Sequence, residues 1–384
     1  MWTFDVGKPS GEKVTEPLYF DFAATTPLCS AARDAMINAL DHDYANYNSI
    51  NHALGRDVHL HIEDARNHIL ESLRLAHSHY LVFTSGATES INLANQGGFR
   101  AYQRSLKGIA ALATDHKVSL EVLNALSSSI ATTLLPVDSG GLIDDTYFKN
   151  FLKGGPSLVN ICAVNNETGV IQPIHELTQL VHQSGGIVHL DASQMIGKMP
   201  LIDLSEIDFM SISAHKFYGP KGIGALLIKK NRRIEPIFYG SRQEYGIRPG
   251  TPANHQILGM QAALSDTLKT YMAQKDQLEL EYHVIKNYFE SKGAVINGKN
   301  TCHLTINIKL PHRFSRKLIE EGFASYVAFS FGSACQTTNL APSHVLSAMG
   351  LGPDEISRSI RISLGLNMPK DSVASLLSCF ESIS

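Results

Sequence analysis

The chain has 384 residues, 43% of them hydrophobic and 18% charged, with a formal net charge of -3. That length suits two domains, or one large α/β unit with an appendage. The near-neutral charge gives no electrostatic ground for direct binding to nucleic acid or to a membrane surface. No apolar run approaches the roughly 20 residues of a spanning helix, and the start, MWTFDVGKPSGEK, lacks the apolar core of a signal peptide. Five scattered cysteines, Cys29, Cys162, Cys302, Cys335 and Cys379, include no C-x-x-C pair. They argue against a disulfide frame or a metal cage and for a reducing, cytoplasmic setting.

From about residue 18 to 250, short apolar runs alternate with amphipathic stretches, the pattern of βα units. Strands are expected at Tyr80 to Phe83, Gly108 to Ala113, Ser157 to Val164, Gly186 to Leu190, Phe209 to Ser213 and Ile223 to Ile228. Several are near-continuous apolar runs, as parallel strands covered on both faces should be. A long helix over 253 to 292, free of proline, then bridges to a second unit. There Leu304, Ile306, Ile308 and Leu310 alternate with polar residues, which predicts a strand with one wet face. A helix over 343 to 349 begins on Ser343, and Ser359 to Ser363 reads as a further strand. This last third, joined by the first dozen or so residues, reads as a smaller α+β domain.

The most informative segment is DFMSISAHKFYGPKGIGAL, residues 208 to 226. A buried strand delivers Lys216 to its C-terminal edge, where glycines let the backbone crowd a ligand, and ligands of open α/β sheets bind at that edge. A lysine there can lose its proton and attack a carbonyl, which makes it a candidate Schiff-base lysine for pyridoxal phosphate (PLP). An isolated Ala-His-Lys is far more often a surface lysine, so the neighbouring strand ends must decide. Thr84 to Ser90, just after the first strand, joins small residues to a helix start, a phosphate cradle or an ordinary capped turn. Asp191, with Gln194 three residues on, ends a strand where a carboxylate can keep a pyridine nitrogen protonated. Asn166 lies in the turn Val164 to Gly169, and His116 follows the strand GIAALA, where it can stack on a ring or shuttle a proton. Each is weak alone; together they share one side of one sheet.

These segments resemble the cysteine desulfurases of the class V aminotransferase family, from Tyr19-Phe20-Asp21-Phe22 to Arg361-Ile362-Ser363-Leu364-Gly365. The motifs VFTSGATESINLA, HLDASQ, SAHKFYGPKGIG and GSAC carry the likeness. The resemblance implies an α/β, fold-type I PLP-dependent transferase. Its large domain, residues 19-252, holds a mostly parallel seven-stranded sheet between helices; residues 1-18 and 253-384 form a smaller α+β domain with the catalytic cysteine loop. It implies that Lys216 bears the cofactor, Asp191 pairs with the ring nitrogen, and His116 stacks on the ring. Gln194 and Asn166 fix the phenolic oxygen side, while Ala87, Thr88, Ser213 and His215 hold the phosphate. Thr251 reaches the phosphate of a second subunit, which implies a homodimer, and Asn46 and His52 lie near the substrate.

Cys335 sits in a run of small and polar residues, suited to a mobile loop that presents a thiolate. Arg361, mid-strand between isoleucines, can grip a substrate α-carboxylate or close an internal salt bridge. The expected reaction is removal of sulfur from L-cysteine, leaving L-alanine and a persulfide on Cys335 that passes to an acceptor protein. Gln336 replaces the usual threonine or serine, and a single helix follows Gly365. An acceptor in tRNA thiolation or DNA phosphorothioation is therefore expected as readily as an iron–sulfur scaffold. A selenocysteine lyase, another class V aminotransferase, or an inactive homologue serving as an interaction protein are the alternatives. No metal is expected.

Overall fold

The computed structural model describes residues 17–314, 326–331 and 342–382; Cys335 lies outside them. Seven strands make one sheet, in the order His79–Thr84, Gly224–Lys229, Phe209–Ser213, Ile187–Asp191, Ser157–Cys162, Gly108–Leu112 and Ala131–Leu135. Only Gly224–Lys229 runs against the rest. The other six therefore end on one edge, the edge at which Gly224 begins. The inner strands are buried along their whole length, which explains why their sequences are unbroken apolar runs. Ala131–Leu135 escapes a reading by hydrophobicity because it is the edge strand, with Ala131 and Leu134 exposed and only Leu135 buried.

Asn254–Ser291 forms a 38-residue helix, about 57 Å long at 1.5 Å per residue. Its first half sends Ile257, Met260, Ala263 and Leu264 into the core beneath the large sheet. Its second half sends Tyr271, Leu278, Tyr282, Ile285 and Phe289 into a second core with Ile306, Ile308, Ile360 and Ile362. That core is one face of a four-stranded antiparallel sheet ordered Ser330–Phe331, Ser359–Ser363, Thr305–Lys309, Val295–Asn297. Leu18–Tyr19 pairs in parallel with Val327–Ala328 beside it.

The wet face expected of the strand through Leu304 to Leu310 is absent. Thr305 and Asn307 are buried, Asn307 completely. Asn307 is cross-strand partner to both Asn297 and Arg361, so the polar residues of three strands share one face. That face does not meet water: Asn307 Nδ2 donates to Glu167 O at 3.2 Å, and Arg361 Nη1 donates to Asn166 O at 2.8 Å. The alternation is real, but its polar side docks on a loop of the large sheet.

Candidate active site

Phe209–Ser213 is fully buried and runs into a single 3₁₀ turn, Ala214–Lys216, which leaves Lys216 on the sheet edge. Gly219 closes the segment against the strand: a Cβ there would stand 2.8 Å from that of Ala214 and 3.0 Å from its carbonyl oxygen. The buried Thr26 pins the turn from the opposite side, donating to His215 O at 3.0 Å and accepting from Tyr218 N at 2.8 Å. Lys216 Nζ donates to the carbonyls of Ala23, at 2.9 Å, and Ala24, at 2.7 Å. The amine thus points back across the edge toward the YFDFAATTP segment.

Asp191 ends the adjacent strand and is buried. One of its oxygens accepts from Ser193 N at 3.0 Å, while the other has no hydrogen-bond partner among the described residues. His116 caps the helix Lys117–Leu126, its Nδ1 accepting from Val118 N at 3.2 Å. That bond fixes the proton on Nε2, the end left for a ligand. Burial pulls the imidazole below its ordinary pKa; Asp191 works against this, while Lys216 and His344 reinforce it. These interactions put His116, Asp191 and Lys216 within electrostatic reach of one another. His116 is nonetheless solvent-accessible. His215 is pulled down to about 4 by burial and then by Lys216 and Lys198, so it stands neutral at pH 7 with Nδ1 on Thr25 Oγ1 at 3.1 Å.

The strand His79–Thr84 leads through Ser85 and Gly86 into Ala87–Asn92, and the helix continues to Tyr102 through a π-turn at Leu93–Gly97. Gly86 at its head makes no side-chain cap, so the first helical N–H groups, Ala87 and Thr88 among them, are free to hold an anion. Space for one is built in. Gly86 lies in the left-handed region (φ 149°), and a Cβ there would stand 3.6 Å from Ser213 Oγ. Gly224, opposite both Thr84 and Ser213 in the sheet, would drive a Cβ to 2.5 Å from Ile212 O and 2.7 Å from Gly86 Cα. Glu89 holds the turn from outside, accepting from Ser85 N at 2.6 Å and pairing with Arg248 at 2.9 Å. A small anionic group between Ser213 and the helix start would fit this donor set, and Asp191 and Lys216 lie on the same sheet edge.

Arg361 reaches the same edge from the small sheet. Its Nη1 bonds Asn166 O, its Nη2 bonds Asp21 Oδ1 at 2.7 Å and Ser330 Oγ at 2.8 Å, and its buried Nε has no partner. The internal salt bridge weighed from sequence therefore exists, and the Nε–H and one Nη1–H have no partner among the described residues. Asn166 lies in a turn organised by its neighbour Asn165, whose Oδ1 accepts from Glu167 N and Thr168 N at 2.9 and 3.0 Å.

Gln194 joins the cluster through its Nε2, which donates at 2.7 Å to the same Ala23 O that Lys216 uses. Among the described residues, no hydrogen bond or ion pair joins Asn46, His52 or Thr251 to it. Asn46 Oδ1 accepts from Asn48 N at 2.9 Å, and His52 caps the helix Ala53–Ser72 through Gly55 N at 3.1 Å. Thr251 is exposed just before the long helix. The four described cysteines are free thiols, each pushed above its ordinary pKa, chiefly by burial. Two participants were missed from sequence. Asp21 is an acid between two phenylalanines, and Lys198 a lysine in the apolar run MIGKM; both break a hydrophobic pattern, which is the signal that could have found them.

Comparison with known proteins agrees with this geometry. The aminotransferase class-V family model matches residues 18–376. A probable mitochondrial cysteine desulfurase of Dictyostelium discoideum is 37% identical over 93% of this chain and 80% of its own length. A solved NifS-like protein superposes with a TM-score of 0.87 at 30% identity, covering 96% of this chain and 99% of that one. A structure of SspA in complex with cysteine gives 0.76 at 31% identity, over 90% and 98% of the two chains. The chain belongs to the class V aminotransferase family, among its cysteine desulfurases.

Proposed function

We propose that the chain draws sulfur from L-cysteine onto Cys335 as a persulfide and delivers it to an acceptor protein, with PLP held on Lys216. The family is PLP-dependent, and the observation that carries the reading here is the convergence on one sheet edge of Lys216, Asp191, His116 and the uncapped helix start at Gly86. The cofactor, when bound, supplies an electron sink for charge developed on the substrate carbon. Asp191 would hold a ring nitrogen with its free oxygen and favour a positive charge there. Neutral His116 presents Nε2–H, and the N–H groups of Ala87 and Thr88 with Ser213 and His215 would hold the phosphate. Gln194 and Asn166 border the phenolic side. Lys216, once its amine is released, is placed to take the substrate Cα proton.

Arg361 receives the substrate carboxylate through its open edge, sharing the guanidinium with Asp21. The cysteine bound in the similar SspA structure supports L-cysteine as substrate. Sulfur then leaves the substrate Cβ for the Cys335 thiolate: an S–S bond forms, the C–S bond breaks, and its electron pair stays with the carbon skeleton released as L-alanine. None of the four described cysteines suits this role, since each thiol titrates above its ordinary value.

A homodimer completes the site. Ile37, Leu40, Tyr44, Ile50 and Leu54 are exposed along and after the helix Ser30–His42, and Tyr239 is 92% exposed. So large an apolar display on the segments flanking Asn46, His52 and Thr251 favours a partner subunit that brings those residues to its neighbour's cofactor. Free thiols without a disulfide favour a cytoplasmic setting; no helix among the described residues is long and apolar enough to cross a membrane. The test is a matched pair of assays on purified protein. L-cysteine should yield equal alanine and transferable sulfur; Lys216→Ala should abolish both, and Cys335→Ser should abolish sulfur transfer. A Cys335→Ser variant that releases sulfide at the wild-type rate would point instead to a selenocysteine lyase or aminotransferase.

A further inference from the structure

Lys198 is a buried titratable side chain of the active-site region that the reaction above leaves unused. It is 6% exposed, set among Met195, Ile196 and Met199, and no carboxylate pairs with it among the described residues. Its Nζ donates to Gln194 Oε1, and that amide's other end, Nε2, donates to Ala23 O at 2.7 Å. The same Ala23 oxygen accepts from Lys216 Nζ at 2.9 Å. A continuous hydrogen-bonded chain therefore runs from Lys198 through the Gln194 amide and the Ala23 carbonyl to Lys216.

We propose that Lys198 is a positioning residue that locks the Gln194 amide, holding Oε1 away from the site so that Nε2, a donor, faces the Lys216 side. The proposal rests on the reading of Lys216 as the PLP lysine. The two ends of a glutamine amide have nearly the same shape, so only their neighbours choose between them. Here both neighbours choose alike. A lysine amine donates to Oε1, and a carbonyl that can only accept meets Nε2. Rotating the amide by half a turn would set two acceptors against each other at Ala23 O and, with Lys198 protonated, two donors against each other. With Nε2 fixed on the Lys216 side, Gln194 can donate to a phenolic oxygen beside the imine carbon; with the amide reversed, it would repel that oxygen.

Burial without an anion is costly for an amine, and burial first, then Lys216, pulls Lys198 down to about 7. Methionine, close to lysine in length, would remove the amine without that cost. A positioning role therefore predicts that cofactor binding depends on this amine while apoprotein stability does not; a purely structural role predicts the reverse.

The test uses the full chain with pyridoxal phosphate, in five forms: wild type, Lys198→Met, Lys198→Gln, Gln194→Ala and the Lys198→Met/Gln194→Ala double variant. Three quantities are read: the dissociation constant for PLP, the pH midpoint of the visible absorption band, and the unfolding midpoint of the apoprotein. Lys198→Met is expected to weaken PLP binding about 3- to 10-fold, the worth of one hydrogen bond, and to move the pH midpoint. Its apoprotein should unfold no earlier than wild type. In the Gln194→Ala background the same substitution should add less than about twofold, because its route of action is gone. Lys198→Gln, which keeps a donor, should bind PLP as wild type does, and it carries the test if the methionine variant does not fold. An undiminished effect of Lys198→Met without Gln194, wild-type behaviour of Lys198→Met, or a Lys198→Gln as weak as Gln194→Ala would each overturn the proposal. A wild-type protein that gives no visible band with PLP would overturn the reading of Lys216 itself.

Discussion

Gly224→Ala tests the phosphate cradle through a single methyl group. In the sheet Gly224 lies opposite Thr84 on one side and Ser213 on the other, so it is the floor between the two walls of the cradle. The added Cβ would meet Ile212 O at 2.5 Å, Gly86 Cα at 2.7 Å and Gly86 C at 3.0 Å. All three are backbone atoms, so no side chain can swing aside. Restoring ordinary contact requires Gly86 to retreat by about 0.7 Å from the strand, carrying the start of the helix away from Ser213. Overpacking of this kind costs about 1–3 kcal/mol. If the cost falls on closing the cradle around phosphate, PLP affinity drops by about 5- to 150-fold. The assay is titration of the apoprotein with PLP, followed by its visible absorption, beside apoprotein unfolding. Gly352→Ala is the control, since its Cβ would meet only the Glu355 carboxyl at 3.8 Å, and it should leave PLP affinity unchanged. Wild-type affinity in Gly224→Ala would refute the placement of the phosphate between Gly86 and Ser213.

Three other outcomes follow from the structure. Arg66→Ala removes one half of a buried bidentate pair, in which Nη1 and Nη2 reach Glu244 at 2.8 and 2.9 Å while Glu244 also accepts from Phe83 N at 2.7 Å; denaturant unfolding should show a loss of about 3–5 kcal/mol. Stability should fall as pH drops from about 6.5 toward 4, because His189, enclosed by Asn160 and Ser211, is held at about 4 by burial. The folded state then binds fewer protons than the unfolded chain throughout that window, so acid favours unfolding, and His189→Gln should flatten the slope in unfolding measured across it. Arg361→Lys keeps the charge but loses the planar fork shared with Asp21, Ser330 and the substrate carboxylate; KM for L-cysteine should rise about tenfold or more with a smaller change in kcat.

The large sheet and its ligand edge were legible because parallel strands covered on both faces write themselves as unbroken apolar runs. Lys216, Asp191, His116 and Asn166 each follow such a run, and the structure brings these strand ends to one edge. The strand Ala131–Leu135 was not legible, since an exposed edge strand carries no hydrophobic signature. The small sheet misled for a physical reason: alternation reports two unlike faces but cannot say whether the polar one meets water or another polar surface. Here Asn307 and Arg361 lie buried against the Asn166–Glu167 turn. Long-range partners were equally hidden. Asp21 and Arg361 are 340 positions apart, and no local pattern predicts their salt bridge.

The central claim, that sulfur moves from L-cysteine to Cys335, is tested most directly by mass spectrometry of the chain after one turnover with sulfur-labelled L-cysteine. The expected result is one labelled sulfur on the Cys335 peptide, with Cys29, Cys162, Cys302 and Cys379 unmodified. It should vanish in Lys216→Ala and transfer off when an acceptor thiol is added. Label on another cysteine, or stoichiometric alanine with Cys335 unmodified throughout, would contradict it.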